Sequence, residues 1–248
     1  MPKNLLDFMA PPSAVSLPIK RSLSLARRLA PEAGEEILML GYDEGRDSLA
    51  WEEKGVELLI LCQREEEVIR ARKAGFRGVL AHTEYLGDRE RFDGVILADA
   101  SYRLFEPDRA VAGIIRSLRP DGRVLLELPL PGHLETTQRV LALSIARLGL
   151  EKKIEKIAYV EAESWRCRFR QSGLRLKEAQ VVYRHHRVSE AELRDWAEKI
   201  LSYRALLLEE TERLRLFETF IEMLKEEAER EGVLTEEEVL LRIVGRRA

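Results

Sequence analysis

The chain has 248 residues, enough to bury a sizeable core and compatible with one α/β domain or with two smaller ones. It carries 41 Lys and Arg against 44 Asp and Glu, a formal net charge of −3, so no global field draws it towards nucleic acid or an anionic membrane surface. Two cysteines, Cys62 and Cys167, are too few for a disulfide framework or a cysteine metal cage, and a cytoplasmic location is the expectation. Charged residues make up 34%, against roughly 25% in typical soluble proteins, and Asn occurs once, at Asn4, a balance like that of thermophile proteins. Asp7, Pro11, Pro12 and Pro18 fall where a signal peptide would need an apolar core, and no apolar run is long enough to predict a transmembrane span.

In chain order, residues 1–35 read as a helical lead-in. Ile37 to Leu40 is the first predicted strand, followed by a glycine turn at Gly41 and Gly45 and a helix from Arg46 to Lys54 that Gly55 ends. Val56 to Leu61 is a second strand, apolar throughout as a strand buried on both faces must be. A helix spans Glu65 to Ala74, and short strands follow at Gly78 to His82 and Gly94 to Ala98. Pro107 opens a helix where its missing N–H is no loss. Pro120-Asp121-Gly122 turns that helix into a fifth strand, Arg123 to Leu128. This alternation predicts a mostly parallel sheet with helices on both faces.

Further on, Leu134 to Leu148 and Glu163 to Ser172 read as helices and Leu174 to Tyr183 as a strand of mixed polarity. Ser189 and Glu192 form a capping box for a helix with the apolar stripe Leu193, Trp196, Ile200, Tyr203 and Leu207. Thr211 opens another, striped by Leu214, Phe217, Phe220, Ile221 and Leu224, with Gly232 beyond its end. Glu238 to Val244 closes the chain as a strand. The expected fold is therefore α/β, a three-layer sandwich around a mostly parallel sheet of seven strands, with a helical insertion before the last strand. The expected organisation is a single domain over 1–248, with its core at 36–187, the insertion at 188–234 and the closing strand at 235–248.

Three phrases in this order resemble the class I S-adenosylmethionine-dependent methyltransferases over about residues 20 to 248. Leu40-Gly41-Tyr42-Asp43-Glu44-Gly45-Arg46 is similar to that family's Leu-Gly-Cys-Gly-Thr-Gly-Arg turn. Phe92-Asp93-Gly94-Val95-Ile96-Leu97 resembles its Phe-Asp-Leu-Val approach to strand four, and Arg116-Ser117-Leu118-Arg119-Pro120-Asp121-Gly122-Arg123 its turn before strand five. The resemblance implies S-adenosylmethionine as cofactor, with Gly41, Tyr42, Asp43 and Gly45 around its methionine part. Cys62 and Gln63 then stand at the ribose, His82 and Thr83 at the adenine, and Ala98 after strand four. Tyr102 and Arg103 fall beside the transferred methyl, where Arg103 could hold an anionic acceptor.

The motif is degenerate. Asp43 stands where a third glycine is expected, and two like charges ~4 Å apart at an effective dielectric of ~20 repel by roughly 4 kcal/mol, so Asp43 must turn from the cofactor's carboxylate or face its ammonium group. Cys62 replaces the acid that accepts from both ribose hydroxyls, a loss of about 1.5 to 3 kcal/mol that Gln63 could partly recover. Glu84 serves as the adenine acceptor if the register shifts by two residues.

Methyl transfer from a sulfonium needs alignment and exclusion of water rather than a triad or metal, so no catalytic residue is singled out and no metal is expected. His185 and His186 lack partners at metal spacing. Trp165, Arg166, Arg168, Phe169 and Arg170 read as an amphipathic face rather than an RNA contact, and both cysteines as small buried hydrophobes. The sequence supports a methyltransferase-like protein acting on a small molecule. The alternative is a catalytically inactive relative whose C-terminal helices engage a protein partner or a second copy. A nicotinamide enzyme fits less well, because Gly41-x-Asp43-x-x-Arg46 lacks two of the three glycines of that fingerprint.

Overall fold

Apolar side chains on both faces of the central strands force helices onto each side of the sheet. In the computed structural model, residues 28–42, 48–87, 89–97, 102–154, 157–201, 204–205 and 208–248 are described. The strands are β1 (Glu36–Leu40), β2 (Glu57–Cys62), β3 (Arg77–Leu80), β4 (Phe92–Leu97), β5 (Leu118–Pro129), β6 (Leu174–Val188) and β7 (Leu234–Arg247). They form one seven-stranded sheet in the order β3-β2-β1-β4-β5-β7-β6. The pairs from β3 to β5 are parallel, with Leu40 opposite both Leu61 and Leu97, while β7 runs antiparallel to β5.

The two-residue alternation of strands divides the core. Leu38, Leu40, Leu59, Leu61, Val95 and Leu97 face one side, against α3 (Pro107–Ser117) and α5 (Ala162–Gln171). Ile37, Met39, Ile60, Cys62 and Ile96 face the other, against α1 (Ser48–Glu52) and α2 (Glu65–Lys73). Trp165 and Phe169 are buried while Arg168 and Arg170 point outward, which is the amphipathic face expected of α5.

Two elements differ from expectation. The turn at Pro120-Asp121-Gly122 is present as left-handed backbone at Asp121, φ +61°, yet the strand runs through it as an irregularity of the β4–β5 register. A side chain at Gly122 would stand 2.8 Å from the Arg119 carbonyl oxygen, so only glycine fits there. β6 continues past Tyr183 to Val188, so His185 and His186 lie on a strand.

The described residues separate into two compact units, one holding 28–133, 158–184 and 237–248 and the other 134–154, 157 and 185–236. In the second, α4 (Glu135–Arg147), α6 (Leu193–Leu201) and α7 (Glu210–Glu231) bury Val140, Leu141, Leu193, Trp196, Phe217, Phe220 and Leu224 in one cluster. The expected stripes thus meet through Leu193, Trp196 and Ile200 and through Phe217, Phe220, Ile221 and Leu224, with Leu216 rather than Leu214 in the cluster, while Tyr203 and Leu207 lie outside the described residues. Ser189 donates its N–H to Glu192 at 2.9 Å, completing the capping box, and Gly232 at φ +75° ends α7. Trp196 donates its indole N–H to Thr137 at 2.9 Å, and Thr137 in turn donates its backbone N–H to Glu236 at 2.6 Å. Among the described residues no helix is long and apolar enough to cross a membrane.

On the antiparallel side of the first unit the sheet buries an ion cluster. Glu127 of β5, 4% exposed, accepts from Arg242 of β7 at 2.7 and 2.9 Å and from Arg184 of β6 at 2.5 Å. Arg184 also lies 3.5 Å from Glu238, and Arg242 3.7 Å from Glu178. One carboxylate thereby ties three adjacent strands through side chains. Glu127→Ala leaves two guanidinium groups without their shared partner and is expected to lower stability by about 3 to 5 kcal/mol, read from urea denaturation followed by circular dichroism. A loss below about 1 kcal/mol would show that solvent or the remaining acids replace it.

Candidate cofactor and substrate site

In an open parallel sheet, strand ends and the loops that follow them present the polar groups, because the strands themselves are sealed on both faces. Gly41, directly after β1, has φ +80°, a conformation that disfavours any side chain, and its N–H extends the ladder to the Leu61 carbonyl at 2.9 Å. Tyr42 turns into the core and packs on Phe76 with ring centres 6.0 Å apart. Asp43, Gly45 and Ala98, which the sequence places at the cofactor, lie outside the described residues.

At the end of β2, Cys62 is fully buried among Ile60, Met39 and Val68. Burial, with the nearby Glu67 carboxylate, pushes its thiol up to about 12. Gln63 is the next residue and its amide is the polar group presented there. Its Nε2 donates to the Arg103 carbonyl at 2.6 Å and its Oε1 accepts from the Arg103 N–H at 2.9 Å. The turn into α2 is fixed by Glu67, 2% exposed, which accepts from the Gln63 N–H at 3.2 Å and pairs with Arg64 at 2.8 Å.

After β3 the chain makes a 3-10 turn, Thr83–Tyr85. Thr83 is buried and its hydroxyl shares a 2.7 Å hydrogen bond with Tyr102, itself 3% exposed. Burial raises the Tyr102 phenol far above its ordinary value, against the opposing bond from Thr83, so it stays neutral. Glu84, 8% exposed, accepts from the Glu106 N–H at 3.0 Å through Oε1, while Oε2 is buried without a hydrogen-bond partner. This turn seats directly on α3, because Gly113 has no side chain: a Cβ there would stand 2.5 Å from the Thr83 carbonyl oxygen.

His82 lies between Phe105, at 5.4 Å, and Tyr85, at 6.5 Å, and the Arg103 guanidinium covers the Phe105 ring at 4.7 Å. Tyr85 is 70% and Phe105 48% exposed, so these rings form an aromatic rim rather than part of the core. The structure thus brings Gln63, His82, Thr83, Tyr102 and Arg103 together, joined by Glu84, and sets Cys62 behind them in the core. Tyr85, Phe105 and Gly113 were missed by sequence reasoning. Aromatics on the loops that follow β3 and β4 are the signal that could have found the first two. Among the described residues no group of three or more His, Cys, Asp or Glu side chains is placed to hold a metal ion.

Cys167 corrects an expectation: it is exposed on α5, whose buried positions are taken by Trp165 and Phe169. The two thiols should therefore react unequally. One is expected to react with Ellman's reagent at about pH 7.5 in the native protein and the second only after denaturation, as the elevated thiol and burial of Cys62 require. Rapid native modification of both would contradict the packing of the β2 end.

No protein-family model matches the chain, and no curated sequence matches it. Solved structures do. YcgJ from Bacillus subtilis aligns at 17% identity and TM-score 0.59, covering 91% of this chain and 96% of that one. The [4+2]-cyclase SpnF aligns at 15% identity and TM-score 0.56, covering 90% and 78%. Geranyl diphosphate C-methyltransferase from Streptomyces coelicolor, solved with Mg2+, geranyl diphosphate and S-adenosyl-L-homocysteine, aligns at 11% identity and TM-score 0.52, covering 91% and 78%. Strand order, the antiparallel seventh strand and these alignments agree: the chain has the fold of the class I S-adenosylmethionine-dependent methyltransferases.

Proposed function

We propose that the protein binds S-adenosylmethionine at the carboxyl ends of β1 to β4 and transfers a methyl group to a small-molecule acceptor. The observation that carries this reading is Gly41 at φ +80° directly after β1, the turn at which a ligand must approach backbone, in a sheet of this strand order. A second likeness supports it, since one of the structural neighbours, aligned over 92% of this chain and 53% of its own, is a phosphoethanolamine methyltransferase solved with S-adenosylhomocysteine.

The residues fit the cofactor's adenosine half. Gln63 offers a donor and an acceptor for ribose hydroxyls in place of the usual acid. Glu84 holds a buried carboxylate oxygen without a partner, the acceptor an adenine amino group requires. His82 and Phe105 supply flat side chains beside it. When bound, the cofactor supplies a methyl group already activated on sulfur. The chain's part is to hold both reactants in line and to exclude water. Arg103, at the far side of Gln63, is the group suited to an anionic acceptor, and its stacking on Phe105 limits the directions in which it can point.

One observation favours the second reading, an inactive relative acting through a protein partner or a second copy: both polar atoms of the Gln63 amide already have partners within the chain. Calorimetric titration separates the readings. S-Adenosylmethionine and S-adenosylhomocysteine are expected to bind with measurable heat below millimolar concentration, and silence at millimolar ligand would favour the inactive form. If the acceptor is anionic, Arg103→Ala is expected to leave S-adenosylhomocysteine affinity within about twofold while lowering kcat/KM by roughly 10- to 150-fold, the loss of one charge-assisted hydrogen bond. Equal loss of cofactor affinity would move Arg103 to the cofactor side.

A further inference from the structure

We infer that residues 103–106 form an internal strap over the adenosine site and that cofactor binding requires its release. This rests on the cofactor reading above. The side chains that reading assigns to ribose and adenine also hold the segment after β4, Gln63 through both polar atoms of its amide and Glu84 through its other carboxylate oxygen. Gln63 grips both backbone groups of Arg103, at 2.6 and 2.9 Å, and Glu84 takes the N–H of Glu106 at 3.0 Å. A two-point grip by a primary amide on the N–H and C=O of one residue copies a strand pairing, so it fixes the segment in one register.

The strap's ends are anchored by buried residues, and between them only Leu104 reaches the core. Tyr102 is 3% exposed and bonded to Thr83, and Pro107 begins α3, whose Ala110, Val111 and Ile114 are buried. Between them Phe105 is 48% exposed and Glu106 is exposed too. The segment therefore stays down through three hydrogen bonds, ring contacts at the rim and the half-buried Leu104, which packs against the core. Each such bond is worth about two- to twelvefold in the closing equilibrium, and the apparent affinity for a ligand that needs the open form falls by the open fraction. Opening frees both polar atoms of the Gln63 amide and the Oε1 of Glu84, beside the Oε2 assigned to adenine, so one movement uncovers both side chains. The strap is thus an autoinhibitory contact that makes ligand capture a competition with the chain's own backbone.

Hydrogen exchange with S-adenosylhomocysteine as probe tests this. Ligand binding ordinarily protects the amides around a site. Here a peptide covering Arg103 and Glu106 is expected to exchange faster when the ligand is bound, because both amides lose their acceptors. Stopped-flow binding supplies the second measurement: Gln63→Ala should raise the association rate constant by roughly tenfold, whatever it does to dissociation, with Gln63→Glu as the isosteric variant that sets a carboxylate against the Arg103 carbonyl. Binding by the wild-type protein with the peptide unchanged or more protected, or association unchanged in both variants, overturns the strap and leaves the cofactor reading standing. No binding of S-adenosylhomocysteine by the wild-type protein or by either variant overturns both.

Discussion

Burial of the central strands on both faces is the constraint from which the site follows. A strand sealed above and below cannot carry working polar side chains along its length without a buried partner for each. Polar chemistry is pushed to the residue at which each strand leaves the sheet, and here the boundary is one residue wide. Cys62 is the last residue of β2 and lies in the core, while Gln63 is the first outside and makes two directed hydrogen bonds. After β3, the edge strand, Leu80 ends the strand 51% exposed, and His82, Thr83 and Glu84 just beyond it hold the site together.

The antiparallel half answers the same constraint differently. Glu127 stands between Leu126 and Leu128, with the alternation that would otherwise place an aliphatic residue on the second face, and it is matched by Arg242 and Arg184 on the neighbouring strands. Isolated, any of these charges would be untenable there. As a group they fix the relative register of three strands, since a two-residue slip would separate every guanidinium from the shared carboxylate. Aliphatic side chains would tolerate such a slip more readily.

Much of this was legible in the sequence because it is written in local patterns. Alternating apolar runs gave the strands, and the capping box at Ser189 and the terminal glycine at Gly232 gave the ends of helices whose stripes do pack together. The first phrase of the resemblance placed Gly41, and the alignment of the second and third strand ends placed Gln63 and Thr83, on the loops where they stand. What stayed hidden depends on pairs distant in sequence. Nothing local to Gln63 shows that its amide faces a peptide unit 40 residues later, and nothing around Gly113 shows that it seats the Thr83 carbonyl. Exposure of Cys167 was equally out of reach, because either side of a ten-residue amphipathic helix could have taken it until Trp165 and Phe169 were seen to fill the buried side.

The outermost strands carry a consequence for solubility. β3, at one margin, has four residues and offers too short a row of unpaired backbone groups to template another chain. β6, at the other, has fifteen residues and would be hazardous were it not for the exposed Arg175, Lys177 and Arg187, whose hydration opposes stacking against a second sheet. The interval Ala179 to Tyr183 lacks that guard and ends in a tyrosine 58% exposed. Lysine substitution within that interval is accordingly the economical route to keeping concentrated preparations monodisperse.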